Sequence, residues 1–91
     1  MEKLDKQELE QSLIELPLWK LEAGELVREW KFKDFPAAIA FVTSVANHAE
    51  AAGHHPDIDI RYNRVRLALV THDAGGVTSK DVEMAAALDR I

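Results

Sequence analysis

The sequence predicts an α+β fold, a four-stranded antiparallel sheet with helices packed on one face. Three observations point there. Apolar residues alternate with a period of two in two pairs of short segments joined by turn residues. Helical stripes with cap residues at their starts flank and separate those pairs. The order is helix, strand pair, long helix, strand pair, helix, so hairpins replace the strand–helix–strand crossovers of a parallel sheet. No repeat, linker or low-complexity segment divides the 91 residues, and 1–91 is read as one domain.

Asp5 with Glu8 three residues later forms a capping box, opening a short helix with Leu9 and Leu13 on one face. Pro17 ends it. Trp19-Lys20-Leu21 reads as a strand, Glu22-Ala23-Gly24-Glu25 as a turn, and Leu26 to Phe32 as the second strand. In that strand Leu26, Trp30 and Phe32 share a face on which Arg28 is the exception. Asp34-Phe35-Pro36 combines an acidic cap with a proline in the first helical turn. The long helix that follows carries Phe35, Ile39, Val42, Val45, Ala46, Ala49 and Ala52 on one side, and Gly53 stops it. Asp57 to Tyr62 alternates, with Ile58, Ile60 and Tyr62 on the apolar face; Tyr62 is expected in the core. Val65, Leu67 and Leu69 continue the pattern after a turn at Tyr62-Asn63-Arg64, so an acidic strand pairs with a basic one. Asp73-Ala74-Gly75-Gly76 is a loop. Thr78 and Asp81 form a second capping box ahead of a terminal helix with Ala85, Leu88 and Ile91 on its stripe.

Composition narrows the function. The net charge is −5 and no basic stripe is present, which argues against a nucleic-acid partner. There are no cysteines, hence no disulfide framework, thiol nucleophile or cysteine-ligated zinc. The amino terminus lacks the apolar run of a signal peptide and no segment reaches the length of a membrane span, so a cytoplasmic protein without membrane contact is expected. A domain this small gains stability by associating, which favours a homo-oligomer.

The chemistry is concentrated between Glu50 and Asp81. Three of the four histidines fall there: His54 and His55 at the exit of the long helix, and His72 at the end of a strand. Pro56 forces His55 into extended backbone and so leads the chain directly into the next strand. His54 and His72 stand nine residues before and after Asn63, so an antiparallel hairpin brings them to the same end of the sheet. Imidazole gives and takes protons near neutral pH, and three converging rings mark a candidate proton-transfer site. His48, among polar neighbours on the long helix, reads as a solvated residue without a role. Trp19 is either core or the aromatic wall of a pocket.

The pattern Glu50-x3-His54-His55-Pro56, then Tyr62, His72 and Asp81, resembles the signature of the pterin-4a-carbinolamine dehydratases. The resemblance extends to Trp19, to Phe32-Lys33-Asp34-Phe35 and to Thr71-His72, and covers nearly the whole chain from Trp19 onward. It implies a four-stranded antiparallel sheet with helices on one side. It implies dehydration of 4a-hydroxytetrahydropterin to quinonoid dihydropterin, in support of an aromatic amino-acid hydroxylase, with neither metal nor cofactor. The catalytic set it implies is His54, His55 and His72. Pro56, Thr71 and Asp73 match positions flanking the pterin, with Trp19 a weaker contact. Glu50 and Asp81 are expected behind the histidines, Asp81 orienting His72 and Glu50 orienting the His54–His55 corner. A homodimer or homotetramer is the family precedent. Ile58 stands where many members have an aromatic side chain, and Ala52-Gly53 where others have larger or charged ones, which leaves pocket shape and pterin preference open.

Two rivals come from other classes. One is a protein-interaction cofactor on the same fold, serving a transcription factor or the assembly of another enzyme through its long helix. The other is a divalent-metal site at Glu50, His54, His55 and His72. Gly53 interrupts the helical spacing that site would need, and no second carboxylate–histidine pair completes it.

Overall fold

Asp5 opens the first helix as its spacing predicts. In the computed structural model, which describes all residues Met1–Ile91, its carboxylate accepts from the Glu8 amide at 2.8 Å. Glu8 accepts from the Asp5 amide in return, completing the capping box of α1 (Lys6–Glu15). The chain continues through β1 (Lys20–Glu22), β2 (Glu25–Lys31), α2 (Phe35–Ala52), β3 (Asp57–Arg61) and β4 (Arg64–Leu69). A 3₁₀ turn at His72–Ala74 then leads into α3 (Ser79–Leu88). The four strands form one antiparallel sheet in the order β1-β2-β4-β3. The first hairpin closes through Ala23 and Gly24, both at positive φ, as a type I′ turn between right-twisted strands requires.

The helices cover one face of the sheet. Leu26 of β2 and Val65, Leu67 and Leu69 of β4 are fully buried against them, each worth about 1.5–3 kcal/mol of burial. Ala38, Phe41, Val45 and Ala49 of α2 and Met84, Ala85 and Leu88 of α3 complete that core. The buried face of α2 is narrower than its apolar stripe: Phe35, Ile39, Ala46 and Ala52 are exposed. Ala38 and Ala49 lie against the sheet beside Phe41 and Val45, and their small side chains permit close approach of the helix to the strands. Ile91 likewise falls beyond the end of α3 and is exposed.

Tyr62 is not core. Pairing of Arg61 with Arg64 ends β3 one residue earlier than the alternation suggests and leaves only Tyr62 and Asn63 to turn the chain. Tyr62 therefore adopts φ +52° and is 67% exposed. On the uncovered face, Arg66 is opposite both Glu29 and Asp59, but Asp59 makes its closest ion pair with Arg61 of its own strand at 3.1 Å. Arg28, the cation on the apolar face, is accommodated at the edge of the core. It pairs with Asp89 beyond α3 and lies 4.2 Å over the Trp30 ring. No helix is long and apolar enough to cross a membrane.

Candidate active site

Three chain ends meet at one corner of the sheet: the carboxyl end of α2, the far end of β4 and the start of α3. Gly53 makes the first of these. At φ +65° its amide bonds the Glu50 carbonyl while the His54 amide bonds that of Ala49, so the α2 carbonyls are satisfied and the chain swings away from the helix axis. His54 is held by its own backbone at the point where the helix stops.

Extending the β3–β4 register past the strand ends sets Thr71, rather than His72, opposite His54. Thr78 caps α3 from the other side, and Asp81 is the third residue of that capping box. Asp81 is fully buried and joins all three ends. One oxygen is 2.6 Å from His54 Nε2. The other accepts from the Thr71 hydroxyl at 2.8 Å and from the Thr78 amide at 2.9 Å. The Thr71 proton is committed to Asp81, so the 2.8 Å contact between the two threonine hydroxyls is donated by Thr78. Every buried polar atom of this network has a partner.

That network sets the chemistry of His54. A carboxylate already accepting two hydrogen bonds has nothing to donate, so Nε2 carries the proton it shares with Asp81. Nδ1, which has no hydrogen-bond partner in the chain, is left free to accept a proton. The same carboxylate balances the positive charge that forms when Nδ1 takes a proton.

His54 forms one wall of an open cleft of about 360 Å³ lined by Gly53, His55, Val70, Thr71, His72, Asp73 and Lys80. The structure thus brings together His54, His55, His72, Thr71 and Asp73. His55 and His72 are exposed. Glu50 lies 3.6 Å from His55, an exposed pair that constrains the ring weakly. Asp81 holds His54 rather than His72, because α3 begins behind the α2 terminus while the 3₁₀ turn carries His72 outward. Pro56 is buried and does not line the cleft. Trp19 does not line it either. Its ring is 4% exposed, packs edge-on to Trp30 at 5.7 Å, and donates from Nε1 to Asp89 at 2.8 Å. Sequence reasoning passed over Lys80, which lines the cleft. It also read His48 as solvated, whereas the side chain is half-buried in a second cavity that includes His54. Its spacing of six from His54 carries no helical signal, since Gly53 intervenes.

Of the four positions of the metal rival, Glu50 and His55 pair at 3.6 Å and the three histidines share the cleft. No group of three or more such side chains is disposed to hold an ion.

Comparison with known proteins gives a consistent picture. Residues 2–91 match the profile of a family described as pterin 4 alpha carbinolamine dehydratase. A protein of Chloroflexus aurantiacus with the provisional name pterin-4-alpha-carbinolamine dehydratase is 63% identical, covering 100% of this chain and 98% of that one. One of Acidobacterium capsulatum with the same provisional name is 58% identical over 100% of this chain and 99% of its own. Among solved structures, a Brucella melitensis protein described as a transcriptional coactivator/pterin dehydratase superposes with a TM-score of 0.91. It is 36% identical, over 97% of this chain and 96% of that one. A pterin dehydratase-like protein described as a RuBisCO assembly factor of the alpha-carboxysome shares the fold alone: its TM-score is 0.64 at 22% identity, over 79% and 83% of the two chains.

Proposed function

The chain belongs to the pterin 4 alpha carbinolamine dehydratase family; on that premise we propose that it converts 4a-hydroxytetrahydropterin to quinonoid dihydropterin by histidine acid–base catalysis. The observation that carries the reading is the Asp81-held His54, which lines a cleft together with His55 and His72.

Dehydration breaks the C4a–O bond and the N5–H bond and forms the C4a=N5 double bond. His54 Nδ1 accepts the N5 proton, and the electrons of that N–H bond become the new π bond as hydroxide character develops on the leaving oxygen. An imidazolium from the exposed pair, His55 or His72, donates the proton that lets the oxygen leave as water. His54 Nδ1 then releases the N5 proton to water in the open cleft and the exposed ring takes one up, so the set returns to its starting state without a further reactant. Asp73 and Thr71 border the same cleft and are the candidates for pterin contact, while buried Pro56 supports the His55 backbone. The product supports tetrahydropterin recycling beside an aromatic amino-acid hydroxylase, with the chain acting as a homodimer or homotetramer.

A coupled ultraviolet assay tests this, with a phenylalanine hydroxylase generating the carbinolamine in place. Decay of the carbinolamine accelerates with this protein, and the acceleration falls about 10²-fold or more in His55→Ala. Folded protein that leaves the decay unchanged rejects the activity.

One observation favours a second reading. Phe35 and Ile39 of α2 are 47% and 37% exposed, an apolar surface of the kind that docks a partner protein. In this reading the domain serves as an interaction cofactor. A double His55→Ala, His72→Ala variant separates the two, since it abolishes dehydration and leaves a scaffolding role intact.

A further inference from the structure

Two neighbouring rows of charged residues cross the uncovered face of the sheet, and they are built differently. In the first, Glu29, Arg66 and Asp59 are aligned across β2, β4 and β3, so a cation stands between two carboxylates. In the second, two residues nearer the β3–β4 turn, Lys31, Arg64 and Arg61 are aligned, and three cations stand side by side. Like charges directly opposite on one face of a sheet cost stability, so folding alone gives no reason to keep them. Their other contacts offset this little. Arg64 approaches Glu29 and Arg66 approaches Glu22 only to 3.9 Å, beyond hydrogen-bond reach. Lys31 has no ion pair in the chain. Only Arg61 is engaged, donating to Asp59 at 3.1 Å. The three arginines line an open cleft of about 360 Å³ with Glu29 and Asp59, and no apolar side chain borders it.

We propose that this cleft binds a small soluble anion of the diphosphate class, gripped by Arg64 and Arg66 and attracted by Arg61 and Lys31. The site does not rest on the dehydratase reading: it is at the other end of β4 from Thr71 and the His54 cleft, about 20 Å away at the rise of a strand. Guanidinium groups present paired donors that match phosphate oxygens, and those of Arg64 and Arg66 are uncommitted. The cationic row spans two interstrand spacings, about 10 Å, which is wider than one tetrahedral anion and suits two linked ones. Whole-molecule charge selects against larger partners. The chain carries −5, so an extended polyanion or an anionic surface is repelled, whereas a small anion within a Debye length of about 8 Å responds to the local excess of cations. A bound diphosphate also cancels the repulsion within the row, so the ligand stabilises the sheet that holds it.

Calorimetric titration with inorganic pyrophosphate, in metal-free buffer at constant ionic strength, tests the proposal. The wild-type chain binds it, and Arg64→Gln weakens the affinity by about tenfold, the scale of one charge-assisted hydrogen bond. Lys31→Gln removes a charge from the row and keeps the aliphatic stem. It weakens binding by about threefold and, without ligand, raises the thermal midpoint by about 2 °C as the repulsion is relieved. Lys6→Gln removes the same charge from an exposed position on α1 and leaves both affinity and midpoint unchanged. Orthophosphate binds about fivefold more weakly than pyrophosphate, having one phosphate group to offer. Absence of pyrophosphate binding, or an affinity unmoved in both folded row variants, overturns the site. An equal loss in Lys6→Gln reduces the effect to net charge and overturns it as well. Equal affinity for orthophosphate overturns the diphosphate assignment.

Discussion

Helix α3 is tied to the rest of the molecule by a carboxylate at each end, and the two ties do different work. At its start, fully buried Asp81 accepts from His54, Thr71 and the Thr78 amide. Past its end, one oxygen of Asp89 accepts from Trp19 Nε1 and from Arg28, whose guanidinium also covers Trp30. Both ties join the helix to distant parts of the chain. Indole and guanidinium keep their protons across the physiological range, so the Asp89 tie is purely a staple. Imidazole has a second nitrogen that stays available when the first is bound, so the same carboxylate device at the other end holds a group that can still accept a proton. What separates a structural clamp from a candidate catalytic one here is the donor, not the acceptor.

In descending cost to folding, four variants probe that contrast. Asp81→Ala strands His54, Thr71 and the Thr78 amide inside the protein, and the expected loss is about 3 kcal/mol with dehydration abolished. Urea unfolding followed by circular dichroism measures it, and a loss below about 1 kcal/mol would mean the network is not the clamp the geometry indicates. Asp89→Ala costs less, about 1.5 kcal/mol, because the Asp89 side chain is itself 26% exposed where Asp81 is fully buried. Its tryptophan emission shifts as Trp19 loses its acceptor, while turnover stays at the wild-type level. Reduced turnover there would break the proposed separation of the two ends.

Gly53→Ala costs about 1 kcal/mol through left-handed backbone alone, since an added Cβ meets nothing within 4 Å. A larger loss would show that the turn also holds His54 through contacts beyond its dihedral angles. His72→Ala comes last. The side chain is exposed, so stability moves by less than about 0.5 kcal/mol, while the carbinolamine assay falls by about 10²-fold. A stable variant with full turnover would leave the proton for the leaving hydroxyl to His55.

Elements with strong local signals were legible without coordinates. Both capping boxes, the Gly53 stop and the two hairpins stand where local sequence puts them, since caps, left-handed glycines and two-residue turns are decided within a few residues. The alternation of β4 identified Val65, Leu67 and Leu69 as core. Less legible were the features that depend on which surfaces meet. Tyr62 fits the alternation but falls in the turn, because the register is chosen by the whole sheet. The α2 stripe includes Phe35 and Ile39, which periodicity cannot distinguish from Ala38 and Phe41 as the residues facing the strands.

By itself, the sequence determined the α+β layout and the convergence of the histidines on one end of a hairpin. It also carried the family pattern, because these follow from short-range geometry and from residues at stated spacings. Tertiary structure alone decided that Asp81 holds His54 rather than His72, that Trp19 belongs to the staple with Asp89, and that His48 shares a cavity with His54. Each of these joins residues from different elements, and such contacts depend on how α2 and α3 seat on the sheet, a rigid-body outcome of packing that no local pattern encodes.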